Sequence, residues 1–75
     1  MDKKQVQFDL GQLIKHYRKE RRFTQNRLAK KLKISSRMLQ YIEAGKRSIT
    51  VYRLYEIAIS LKISPVLLIK DFRFN

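Results

Sequence analysis

The stretch "TQNRLAKKLKISSRMLQYIEAGKR", residues 24–47, carries seven of the chain's eighteen lysines and arginines and a single acidic residue, Glu43. Its leucines and isoleucines recur at helical spacing, so the charge belongs to a folded segment and not to a disordered tail. Thr24 has the position of an N-cap, where a hydroxyl accepts an orphan backbone N–H, and Leu28, Ala29 and Leu32 then fall on one side of a short helix. Ser35 repeats the device for a second short helix, with Leu39 and Ile42 inward. Only Lys33 and Ile34 separate Leu32 from Ser35, which forces an abrupt change of direction. Gly45 follows where a left-handed residue ends such a helix.

Outward from this pair, the pattern stays helical. Asp9 and Gln12 have the form of a capping box, and Phe8 with Leu13 that of a hydrophobic staple, which predicts a helix from about Leu10. Its apolar face is Leu10, Leu13, Ile14 and Tyr17, and it fades near "RRF", residues 21–23. On the other side, Thr50 caps a helix with Leu54, Ile57, Ala58 and Leu61 inward. Ser64 and Pro65 open another, because proline suits the first helical position. The expectation is an all-α fold of five helices, with residues 1–8 an N-terminal arm, 9–72 one domain and 73–75 a tail.

Seventy-five residues allow a single domain, which buries roughly 60% of the surface its unfolded chain exposes. There is no cysteine, which excludes a disulfide framework and thiolate metal sites and fits a cytoplasmic location. "MDKKQVQFDLGQ" at the N-terminus has no apolar signal core, and no run approaches the roughly 20 apolar residues that span a bilayer. The net charge of +12 points to a polyanion, and residues 24–47 carry half of it. An anionic membrane surface suits a continuous amphipathic helix, and here caps and a turn divide the segment, so nucleic acid is the expected partner. The aromatics do not form an obvious stacking platform for single strands or RNA. His16 lies off the apolar face with no second histidine, cysteine or carboxylate cluster beside it, so no metal, cofactor or catalytic role is expected.

The segments "LGQLIKHYRKERRFTQNRLAKKLKIS", "LQYIEAGKR" and "LYEIAISLKISPVLLI" resemble the lambda repressor and Cro family of helix-turn-helix proteins, also called the XRE family. Arg18, the Thr24–Gln25 helix start, Ala29, Ile34, the Ile42–Glu43 pair and Gly45 stand in the family's register, and the helix-turn-helix covers about residues 24–44. The resemblance implies a sequence-specific DNA-binding transcription regulator, acting as a dimer on double-stranded DNA, with a palindromic operator. It also implies an Arg18–Glu43 ion pair. Its usual glycine in the turn is here Lys33, which would place a non-glycine residue in the left-handed region at a cost of roughly 1–2 kcal/mol.

In this geometry the first helix of the pair crosses the DNA backbone and the second sets its N-terminal residues into the major groove. Ser36, Arg37, Gln40 and Tyr41 lie off the Leu39/Ile42 face and are the expected base contacts. Arg37 suits guanine, whose O6 and N7 accept both arms of a guanidinium. Gln40 suits a base edge or a phosphate, and Tyr41 either of these or a thymine methyl. Thr24, Gln25 and Asn26 at one end, and Lys46 and Arg47 at the other, are expected on phosphates. Lys30 and Lys31 read as solvated face. Tyr52, Tyr55 and Ile59 form a second apolar stripe, and Val66–Ile69 cannot all point inward at about 3.6 residues per turn. Tyr52, Tyr55, Ile59, Val66, Leu67 and Phe72 are therefore the expected homodimer interface, unless Phe72 and Phe74 fold back over that surface. An antitoxin, a restriction-modification controller, or a module that binds another protein through the last two helices are alternative functions of the same sequence.

Overall fold

The computed structural model describes residues 2–69; Phe72, Phe74 and the 73–75 tail lie outside them. Among the described residues there are five helices and no strands: α1 (Lys3–Glu20), α2 (Gln25–Leu32), α3 (Ser36–Glu43), α4 (Val51–Leu61) and α5 (Val66–Ile69). The start of α1 corrects the expectation of an arm over residues 1–8 and a helix from Leu10. Asp2 caps the helix by accepting from the Lys4 N–H at 2.9 Å. Asp9, expected as a cap, sits within the helix and accepts from Gln5 Nε2 at 2.8 Å. Phe8, expected as half of a staple, lies against Gly45 instead. Both aspartates can cap, and the longer helix prevails because its added turns find tertiary contacts.

The other three caps stand where the sequence places them. Thr24, Ser35 and Thr50 accept from the backbone N–H of Arg27, Met38 and Arg53, each at 3.0–3.1 Å. The helix ends share one closure. In α1 to α4 a left-handed residue (Arg22, Lys33, Gly45 or Lys62) follows the helix, and the next N–H bonds a carbonyl five residues back. Those bonds are Phe23 to Arg18, Ile34 to Ala29, Lys46 to Tyr41 and Ile63 to Ala58, at 2.9–3.0 Å. This is the Schellman arrangement, which satisfies orphan carbonyls. Lys33, at φ 59° and ψ 40°, has the left-handed conformation expected of it. Arg22 and Lys62 share it, so three cations stand at the negative ends of helix dipoles.

The core holds Ile14, Leu28, Leu39, Ile42, Ile57, Leu61 and Leu68, each with essentially no exposed surface. The inward sets expected for α2, α3 and α4 are buried, whereas Leu10, Leu13 and Tyr17 of α1 are partly covered at the margin. α3 packs between α1 and α2, and α4 and α5 close the opposite side. Gly11 allows α1 to approach α3 closely. A Cβ there would stand 2.4 Å from the Ile42 carbonyl oxygen and 2.6 Å from that of Glu43. Both obstacles are backbone, so neither can rotate away.

Two substitutions separate these constraints. Gly11→Ala forces α1 away from α3 and should cost roughly 1–3 kcal/mol, the usual range for an overpacked core. In a domain of this size that lowers Tm by about 4–8 °C per kcal/mol in a thermal melt. Lys33→Gly should be neutral or stabilising by up to about 1 kcal/mol, because relief of the left-handed strain offsets the greater unfolded entropy of glycine. A clear fall in Tm for Lys33→Gly would show that the lysine side chain itself holds the turn.

Candidate nucleic-acid interface

With Leu39, Ile42 and Glu43 buried, helical geometry turns Arg37, Gln40 and Tyr41 to the opposite side of α3, where all three are exposed. Ser36, at the start of the same helix, is half-buried. Its hydroxyl donates to Asn26 Oδ1, which joins the first turn of α3 to the first turn of α2. The amide nitrogen of Asn26 is thereby left facing away from Ser36 as a donor. Thr24 Oγ1 accepts the Arg27 N–H, and its own proton remains able to donate. Gln25 is less free than the sequence suggests, being half-buried with Nε2 donating to Glu43 Oε1 at 3.0 Å.

Glu43 and Arg18 are buried together, 3% and 6% exposed. Arg18 Nε donates to Glu43 Oε2 at 2.6 Å and its Nη2 to Oε1 at 3.1 Å, a two-pronged fork. The third guanidinium nitrogen donates to the Phe23 carbonyl at 2.8 Å, so the pair joins α1 to α3 and to the turn before α2. Among the described residues no buried side-chain nitrogen or oxygen lacks a partner. Glu43 therefore faces inward from a basic segment and puts no carboxylate toward phosphates.

Lys46 and Arg47 are exposed beyond the other end of α3. The closure of the helices explains how Lys46 is placed. The residue after the left-handed position is Phe23 in α1, Ile34 in α2 and Ile63 in α4, each packed on the core, as the motif ordinarily demands. In α3 that position holds a lysine in solvent. The end of the candidate recognition helix thus departs from the apolar residue the closing motif ordinarily carries. Beside it, a cleft of about 470 Å³ is lined by Met38, Ile42, Lys46, Arg47, Thr50 and Arg53, among others.

Sequence reasoning missed Arg53. Its Nη1 donates to Glu56 Oε1 at 2.9 Å and to the Leu32 carbonyl at 3.3 Å, which ties α4 to the end of α2. The i,i+3 spacing from Glu56 is visible in the sequence, but the carbonyl partner lies twenty-one residues away. Arg27 and Lys31 lie over the Phe23 ring at 4.6 and 5.4 Å. His16 pairs with Glu20 at the surface. Among the described residues no cluster of His, Cys, Asp or Glu suited to a metal occurs, and no helix is long and apolar enough to cross a membrane.

The residues expected at a dimer interface divide. Tyr52, Tyr55, Ile59 and Val66 are exposed, at 75%, 53%, 70% and 58%, whereas Leu67 is half-buried and Phe72 lies outside the described residues. Val51 and Ile69, which helical spacing did not single out, are also exposed apolar side chains. α4 is thus apolar on two adjoining faces, one buried by Leu54, Ile57, Ala58 and Leu61 and the other in solvent.

Residues 14–68 match the family model HTH_3, Helix-turn-helix. The fold is similar to that of the restriction-modification controller protein C.AhdI from Aeromonas hydrophila. The TM-score is 0.85 at 22% identity over 91% of this chain and 99% of that one. The clp gene regulator ClgR from C. glutamicum is similar at TM-score 0.81 and 23% identity, over 87% of this chain and 85% of that one. An HTH_3 family transcriptional regulator from Vibrio cholerae gives TM-score 0.83 and 26% identity, over 93% of this chain and 39% of the longer protein. No curated protein matches the sequence at a significant level. The chain belongs to the HTH_3 helix-turn-helix family, the lambda repressor-like group of DNA-binding transcription regulators.

Proposed function

We propose that the protein is a dimeric, sequence-specific repressor or autoregulator that binds a palindromic operator in double-stranded DNA and has no enzymatic activity. The observation that carries this reading is the α3 surface, where exposed Arg37, Gln40 and Tyr41 lie between donors at Asn26 and cations at Lys46 and Arg47. In the docking of this motif those side chains meet base edges in the major groove, and the flanking groups hold phosphates on either side. Arg37 reads guanine, and Gln40 and Tyr41 read neighbouring positions. Thr24 and Asn26 position the start of α2 on the backbone, and Gln25 assists with its second amide hydrogen. The apolar surface of α4 and α5 pairs two copies, so that two recognition helices read the two halves of one site. Such a chain acts in the cytoplasm, where its operator lies.

A second reading is a restriction-modification controller, favoured by the likeness to C.AhdI over nearly the whole of both chains. It differs in the gene controlled and not in the chemistry of the interface. An antitoxin or a protein-interaction module would instead need a different protein on α4 and α5 in place of a second copy.

Selection from a random duplex library, repeated with variants, tests the site. Arg37→Ala should relax preference at one base pair, with roughly 1–3 kcal/mol of discrimination lost there. Lys46→Ala should weaken binding about equally for all sequences and lower the salt slope by about one. Equal losses on every sequence for Arg37→Ala would remove it as a base reader. The dimer is tested at Ile59, which is more exposed than Leu67 and so the cleaner position. Ile59→Glu should keep its helical content, sediment as a monomer, and lose much more affinity for the full operator than for a half-site.

A further inference from the structure

One face of α1 runs alongside the recognition helix. Lys4, Phe8, Gly11 and Lys15 are spaced i, i+4, i+7 and i+11 and so share that face. Its middle is closed: a Cβ on Gly11 would strike the carbonyls of Ile42 and Glu43, and one on Gly45 would stand 2.5 Å from the Phe8 Cα. Gln7 Nε2 donates to the Gly45 carbonyl at 3.3 Å and fixes the same crossing. The two lysines emerge on either side of it. Lys15 lines a cleft of about 290 Å³ together with Gln25, Gln40 and Glu43, at the α2 side of the interface. Lys4 lies one turn before Phe8, whose backbone packs on Gly45, and Lys46 directly follows that glycine. Eleven residues at about 1.5 Å each separate them by roughly 16 Å, a span of several phosphates along a DNA strand.

We propose that α1 is a third DNA-contacting element, in which Lys4 and Lys15 bind backbone phosphates of the duplex and extend the contacts made at Lys46 and at Asn26. The inference rests on the reading of the chain as a DNA-binding protein. Lys4 lies before residue 14, where the family match begins, so this contact belongs to the two added turns of the helix. The acids of α1 and α3 each have a partner: Asp2 accepts the Lys4 backbone N–H, Asp9 takes Gln5, Glu20 takes His16, and Glu43 takes Arg18 and Gln25. Neither lysine belongs to a salt bridge among the described residues. The contacts are to phosphate, so they add affinity and orientation and leave base preference unchanged.

The experiment measures binding of the full chain to a labelled short duplex of random sequence across a salt series. Lys4→Gln and Lys15→Gln preserve helix propensity, and helical content by circular dichroism verifies the fold of each. Each should reduce the slope of log K against log salt by about 0.9, and the double variant by about twice that. Lys62→Asn, beyond α4 and in a left-handed position asparagine tolerates, should leave the slope unchanged. An unchanged slope for either α1 variant, with Lys46→Gln lowering it, overturns this inference and leaves the DNA-binding reading intact. An unchanged slope for Lys46→Gln as well overturns both.

Discussion

The Arg18–Glu43 fork is where the structure holds α3. Two buried charges are expensive to remove from water, and the cost is offset only because every prong is used: two to the carboxylate, one to the Phe23 carbonyl. Gln25 adds a fourth bond from the start of α2. Three helices and one turn therefore share a single hydrogen-bonded junction. Its directionality does what apolar packing cannot, since Leu39 and Ile42 would tolerate a small rotation of α3 and a two-pronged ion pair would not. The faces that Arg37 and Gln40 present are set by that junction.

Around this junction the chain uses its charge twice. Arg22, Lys33 and Lys62 occupy left-handed positions that glycine would fill with less strain. Each contributes a cation near the carbonyl end of a helix, where the backbone is electronegative. Of the four left-handed helix ends, the one after α3 needs glycine for space as well, because the Phe8 backbone leaves no room for a Cβ on Gly45. The same closing motif then places Lys46 in solvent, where the corresponding residues after α1, α2 and α4 are apolar and packed. A structural device used three times for the core is turned once toward solvent.

The second apolar face of α4 answers to a different constraint. Leu54, Ile57, Ala58 and Leu61 form the buried face of α4, and Leu68 from α5 adds to it. Tyr52, Tyr55, Ile59 and Val66 stay more than half exposed outside that buried face. These exposed apolar side chains are the surface that the proposed pairing of two copies would cover.

The sequence by itself determined α2, α3 and α4, their caps and their inward faces, because these depend on residues three to eight positions apart. Thr24, Ser35 and Thr50 cap what they were expected to cap, Lys33 is left-handed, and the buried sets of α2, α3 and α4 follow from spacing alone. The outward position of Arg37, Gln40 and Tyr41 is the complement of the same spacing. Distant contacts decided the rest. Asp2 and Asp9 are equally able to cap, and packing of Gln7, Phe8 and Gly11 against the end of α3 chose the longer helix. Gln25, expected on a phosphate, is drawn half inward by a carboxylate eighteen residues away. Ser36 and Asn26 are joined across the turn, and Arg53 finds a carbonyl on α2. Hydrogen-bond partners far apart in the chain carry no periodic signal, so only the closed tertiary structure could assign them.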